Sequence, residues 1–113
     1  MSERLTSQML VSALLRLVQS RSGVAMVLQR GEPDSGSIVV QIVERGRNIG
    51  FFERIMSLDG TIMLTRSGPG ETAEVAEIDQ YIERRRRADP DIWIVELDVA
   101  EGQRLAAELL CAG

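Results

Sequence analysis

The sequence predicts an α+β domain on a mainly antiparallel sheet of four to five strands, with elements in the order α-β-β-β-β-α-β-α and helices packed on the sheet. Three observations predict it. Between Val24 and Arg66, four apolar segments rich in β-branched and aromatic residues are separated by turn residues. Apolar residues at helical spacing flank that run on both sides. Finally, a charged helix end, Glu83 to Ala88, meets Asp89-Pro90-Asp91 and hands over to a strand holding the only Trp, Trp93.

Residues 6–21 form the first predicted helix, capped by Thr6 or Ser7, with Met9, Leu10, Ala13, Leu14, Leu17 and Val18 on its apolar face. Ser22-Gly23 ends it, with Gly23 available for the left-handed position. A strand follows over Val24 to Arg30, then the loop Gly31-Glu32-Pro33-Asp34-Ser35-Gly36. There Pro33 suits a tight turn, Asp34 can bond its own backbone and Gly36 can take positive φ. Ser37 to Glu44 is the second strand and Arg45-Gly46-Arg47 the hairpin turn. The third strand runs through Ile49, Phe51, Phe52, Ile55 and Met56. Asp59-Gly60 signals another hairpin, and Thr61 to Arg66 completes a four-strand meander.

Ser67-Gly68-Pro69-Gly70 reads as a flexible loop, and Thr72 as the cap of the second helix, whose apolar stripe is Val75, Ile78 and Ile82 with Tyr81 on its flank. Arg84 to Arg87 face the negative end of that helix's dipole. Continuing the stripe lands on Arg85 or Arg86, so one arginine is aimed at the core rim and needs a carboxylate there. The next strand carries Trp93, Val95 and Leu97 on one face and Ile92, Ile94 and Glu96 on the other. Apolar residues on both faces suit an interior strand. Asp98 and Glu101 have capping-box spacing for a third helix carrying Leu105, Leu109 and Leu110, which Gly102 weakens. The expected sheet order is 5-1-2-3-4, with the Trp93 strand antiparallel beside the Val24 strand and two helices on one face. A right-handed crossover setting it parallel to a neighbour is the alternative. The expected core is Leu10, Leu14, Leu17, Val27, Ile38, Val40, Phe51, Ile78, Ile82, Trp93 and Val95.

Leu28-Gln29-Arg30-Gly31-Glu32-Pro33-Asp34-Ser35-Gly36-Ser37-Ile38-Val39-Val40 and Asp89-Pro90-Asp91-Ile92-Trp93-Ile94-Val95-Glu96 resemble the signature stretches of a bacterial family, domain of unknown function fourteen-ninety-one. The early helix with Val11, Ala13 and Arg16, followed by Gly23, is similar too. The resemblance spans nearly the whole chain, with Phe51 to Thr72 matching only loosely. It implies a small stand-alone cytoplasmic protein of this element order, and brings no activity, cofactor or site residue with it.

Composition narrows the chemistry. The 113 residues read as one domain, 1–113, with 44% apolar and 27% charged residues in the ordinary globular range. A net charge of -4 argues against non-specific binding to nucleic acid. There is no histidine and every basic residue is arginine, which removes the commonest general base and any catalytic lysine. Cys111 is alone, so neither an intrachain disulfide nor a multi-cysteine zinc site can form, and no histidine exists to activate it. The apolar run Met9 to Val18 is broken by Ser12 and Arg16, lacks a cleavage site after it, and is too short to span a bilayer, so the chain reads as cytoplasmic.

Three constellations remain. Arg30, Glu32 and Asp34 form a candidate surface site. A calcium loop needs more oxygen ligands than these, and the favoured reading is a turn with Arg30 in an ion pair. Arg84, Arg86 and Arg87 form a candidate basic patch, which with Arg45 and Arg47 makes arginine-mediated nucleic-acid binding an alternative function. The favoured reading there is a solvated helix end. Pro33-Asp34 resembles half of a metal-dependent nuclease motif, but Glu44-Arg45-Gly46 and Glu53-Arg54-Ile55 lack the lysine of the other half. The strands are apolar on both faces and need two layers of cover. The expectation is therefore a non-enzymatic interaction module, a homodimer or the binder of an unknown protein partner. Its interface would be an uncovered sheet face or Leu105, Leu109 and Leu110. No catalytic, cofactor-binding or metal-binding residue, small-molecule ligand or membrane is implied.

Overall fold

The structure is a computed structural model that describes residues 5–112. Its elements follow the expected order: α1 (Ser7–Ser20), β1 (Val24–Gln29), β2 (Ile38–Glu44), β3 (Arg47–Met56), β4 (Ile62–Arg66), α2 (Val75–Ala88), β5 (Trp93–Asp98) and α3 (Gly102–Leu110). The strands form one sheet in the order β1-β5-β2-β3-β4. β5 therefore does not sit outside β1 as the order 5-1-2-3-4 required. It lies between β1 and β2, antiparallel to the first (Val27 opposite Val95) and parallel to the second (Val40 opposite Val95). The sheet is mixed, with one parallel pair. The apolar pattern on both faces of β5 is the reason: Trp93, Ile94, Val95 and Leu97 are all buried, which an edge position could not achieve.

Two helices do share one face of the sheet, as expected, and the third covers the other. α1 and α3 share one face, where Leu10, Val11, Leu14 and Val18 of α1 and Leu105, Ala106 and Leu110 of α3 pack on Val40, Phe52, Trp93 and Val95. α2 alone covers the other, where Tyr81, Ile78 and Ile82 meet Val39, Phe51, Ile92 and Ile94. The expected core is largely present. Val27 is the exception, more than a third exposed on the edge strand, while Leu17, Ile78 and Ile82 are half-buried.

Several local readings are corrected by tertiary contacts. Thr6 caps α1, its Oγ1 accepting the Met9 N–H at 3.1 Å, and Ser22 (φ 62°) rather than Gly23 takes the left-handed position after it. Thr72 does not cap α2. Glu74 stands at the cap with no side-chain bond, and the first turn is exposed so that water meets its donors. Nor does Asp98 cap α3, since its two carboxylate oxygens accept the N–H groups of Arg45 and Gly46 at 3.2 Å and brace the β2–β3 turn. Gly102 serves packing: a Cβ there would stand 3.3 Å from Ile42 Cγ2 and Val99 Cγ1, a tight contact, so glycine eases the close approach of α3 to β2. The Ser67 to Gly70 loop is tied down rather than free. The Ser67 hydroxyl lies 3.0 Å from that of Tyr81, and Asn48 Nδ2 donates to the carbonyls of Pro69 and Gly70.

No helix among the described residues is long and apolar enough to cross a membrane. Trp93 is the centrepiece of the larger core, 1% exposed. Trp93→Ala is expected to cost about 3–5 kcal/mol in urea unfolding, and a loss below about 1 kcal/mol would mean that the chain repacks around the vacancy.

Candidate functional site

Inserting β5 between β1 and β2 sets a problem for the chain joining those two strands. It must cross the start of β5, two strand spacings or about 10 Å, where a tight hairpin crosses one. Residues 30–37 make that crossing as an arch. The Glu32 N–H donates to the Asp91 carbonyl at 2.9 Å, and the Trp93 N–H to the Ser37 carbonyl at 2.7 Å. The indole Nε1 of Trp93 donates to the Glu32 carbonyl at 2.8 Å. At both feet of the arch the backbone lies so close to β5 that a Cβ on Gly31 or Gly36 would overlap the Asp91 carbonyl oxygen. Gly36 is thus required by contact, not by positive φ.

The arch also receives the start of α1. The N–H groups of Ser7 and Gln8, which have no partner within the helix, donate to the carbonyls of Asp34 (3.0 Å) and Pro33 (2.9 Å). The Ser7 hydroxyl donates to the Gly36 carbonyl at 2.6 Å. One loop therefore joins three elements distant in sequence.

Of the residues expected here, Glu32 and not Asp34 closes the turn, accepting the N–H groups of Ser35 (2.7 Å) and Asp34 (3.1 Å). Arg30 makes no ion pair with either. Its guanidinium lies 5.3 Å from the centre of the Trp93 ring, an exposed cation–π contact. Glu32, Asp34, Asp89 and Asp91 line a shallow open cleft with Ser35, Gly36 and Ser37. Asp89 and Asp91 are the residues sequence reasoning left out of it, and the signal was the second of the two signature-like stretches. Even so, no three acidic or cysteine side chains among the described residues converge as a metal-binding group.

The arginine run divides. Arg85 turns inward and pairs with Glu53 at 3.0 Å, the core-rim ion pair the helical stripe required, and also donates to the Tyr81 hydroxyl at 2.9 Å. Of the expected basic patch, Arg86 donates to the Leu28 carbonyl at 2.6 Å and lies 3.5 Å from Glu83, leaving Arg84 and Arg87 exposed. Arg45 and Arg47 are not brought to them. They lie past Val43 and Asp98, while the arginine run precedes Trp93 at the opposite end of β5. On α3, Leu105 and Leu110 are buried in the chain's own core and only Leu109 keeps part of its surface, so the three do not form a free stripe. Burial pushes the Cys111 thiol up, away from the reactive thiolate.

The amides of Ser35 and Asp34 hold the Glu32 carboxyl below its ordinary value. A folded value below the unfolded one means that this bond stabilises the fold above about pH 4.3 and is lost as the pH falls through the lower folded value. Glu32→Gln is accordingly expected to lower the urea midpoint at neutral pH, with the difference from the parent shrinking below about pH 4. An undiminished difference in acid would show that the carboxylate charge is not what matters.

The family model described as Protein of unknown function (DUF1491) matches residues 5–107. No curated protein matches the sequence. Among solved structures, the crystal structure of a DUF1491 family protein from Caulobacter crescentus CB15 is similar, with 27% identity, a TM-score of 0.77, and coverage of 90% of this chain and 94% of that one. An NMR structure of a DUF1491 family protein from the same organism has 28% identity and a TM-score of 0.76, covering 92% and 94%. The solution structure of protein Atu0922 from A. tumefaciens has 30% identity and a TM-score of 0.72, covering 96% and 93%. The arch of residues 30–37 and the start of β5 that it spans lie inside the matched region, and the chain belongs to the DUF1491 family.

Proposed function

We propose that this protein is a non-enzymatic interaction module that associates with itself. One observation carries the reading: where apolar surface is left in water. The centres of both sheet faces are sealed by the chain's own helices, which moves the expected interface away from α3 and from the sheet faces. Among the described residues, apolar surface remains exposed at the two edges, Val24, Met26 and Val27 on β1 and Ile55, Met56, Leu58 and Met63 at the β3–β4 hairpin, besides Leu5 and Met9 at the start of α1 and Val75 at the start of α2. An edge strand with apolar side chains and unpaired backbone groups is a template for another strand.

The chemistry available favours binding over catalysis. The chain has no histidine or lysine, and its one thiol is shifted away from reactivity. Nucleic acid is the less favoured partner, because Arg85 and Arg86 are engaged within the fold and Arg45 and Arg47 lie at the far end of the sheet. Light scattering across micromolar concentrations is expected to give a mass near twice 12.5 kDa. A mass of 12.5 kDa throughout would refute self-association.

A further inference from the structure

We infer that α2 is a lid. It swings off the sheet as a unit and uncovers Val39, Phe51, Ile92 and Ile94, while α1, α3 and the five strands stay packed. This goes beyond self-association and does not rest on it. Its ground is the unequal hold of the three helices. α1 buries Leu10, Val11, Leu14 and Val18, and α3 buries Leu105, Ala106 and Leu110, all in one core with Trp93. α2 is as long as α1, yet Tyr81 is its one buried residue. Ile78, Ile82, Arg85 and Arg86 are half-buried and the rest of the helix is exposed. An element with so little buried apolar surface opens ahead of the others.

Polar groups supply the hold that apolar burial does not. Arg85 donates to Glu53 of β3 at 3.0 Å and to the Tyr81 hydroxyl at 2.9 Å. That hydroxyl lies 3.0 Å from the hydroxyl of Ser67, and Arg86 donates to the Leu28 carbonyl of β1 at 2.6 Å. These bonds form a latch that water can take apart, since Arg85 and Glu53 are each about a quarter exposed. Against them stands Arg86 Nε, buried with no partner among the described residues, a desolvated donor that water satisfies once α2 lifts. Hinges stand on both sides. Glu71, Thr72 and Glu74 before the helix, and Ala88, Pro90 and Asp91 after it, are exposed. Beyond them the chain is fixed: Asn48 holds the Pro69 and Gly70 carbonyls, and Ile92 is buried in the sheet. Lifting breaks no backbone bond of the sheet, because β5 keeps β1 and β2 at its edges.

The test places a thiol under each layer of helices, in the full chain with Cys111→Ser so that no other thiol reacts. Val39→Cys lies under α2 and Val40→Cys under α1 and α3, and both valines are fully buried. Labelling by an aromatic disulfide reagent is expected to be at least about tenfold faster at Val39→Cys than at Val40→Cys. Tyr81→Phe keeps the ring on Phe51 and removes the hydroxyl from the latch. It is expected to speed labelling at Val39→Cys about threefold to tenfold and to leave Val40→Cys unchanged. Equal labelling of the two thiols, or an equal effect of Tyr81→Phe on both, would overturn the lid, because α2 would then leave the sheet only when the whole chain unfolds. No effect of Tyr81→Phe at Val39→Cys would overturn the latch. Circular dichroism confirms that each variant folds. If one does not, amide hydrogen exchange of the parent chain decides: residues 75–88 opening at lower urea than residues 102–110 supports the lid, and the two opening together overturns it.

Discussion

The structure depends on one constraint: a strand buried on both faces must also be paired along both edges. β5 supplies the row Trp93, Ile94, Val95 and Leu97, and every peptide group in that row lies out of water. Backbone donors and acceptors buried without partners would each cost about 1–3 kcal/mol, so β5 needs β1 on one side and β2 on the other. The rest follows. The connection from β1 to β2 must arch over the start of β5, glycine must stand where the arch touches the Asp91 carbonyl, and the indole N–H of Trp93 must find its acceptor in that arch. α1 is then positioned by having its first free N–H groups received by the same loop.

The arch explains why an acidic loop of this kind need not be a binding site. Glu32 supplies the bonds that fold it, with Ser35 and Asp34 as donors, and Asp89 accepts the Asp91 N–H at 3.0 Å to shape the chain just before β5. Carboxylates gather there because short acidic side chains satisfy backbone donors in tight turns. The same logic recurs at the β3–β4 hairpin, where the Ser57 hydroxyl and the Thr61 N–H hold the Asp59 carboxyl at about 2.

On the α2 side of the sheet, polar groups do part of the work that aliphatic packing does on the other. Tyr81 packs its ring tilted against that of Phe51, with centroids 4.7 Å apart, and turns its hydroxyl to Ser67 and Arg85, and Arg85 continues to Glu53. The pair is about a quarter exposed, so solvent screens it and its net contribution is modest. Its effect is on position: it ties α2 to β3. The same helix placement that seals Ile92 and Ile94 thus leaves Met26 and Val24 in water.

What the sequence by itself determined was local. Apolar periodicity, the Asp89-Pro90 stop, the Asp59-Gly60 turn and the arginine reaching the core rim all follow from residues close in sequence, and the interior character of β5 is written in its two apolar faces. The position of β5 between β1 and β2 was decided only in three dimensions. Two hints lay in the sequence, a connecting loop too long for a tight hairpin and a strand too apolar for an edge, but neither says which pair of strands parts to admit it. The roles of Asp34, Asp98, Gly36 and Gly102 were hidden for the same reason. Capping spacings and turn preferences describe what a residue can do with its neighbours in the chain. These four answer to the arch, the β2–β3 turn, β5 and β2, and only the packed sheet brings those partners within reach.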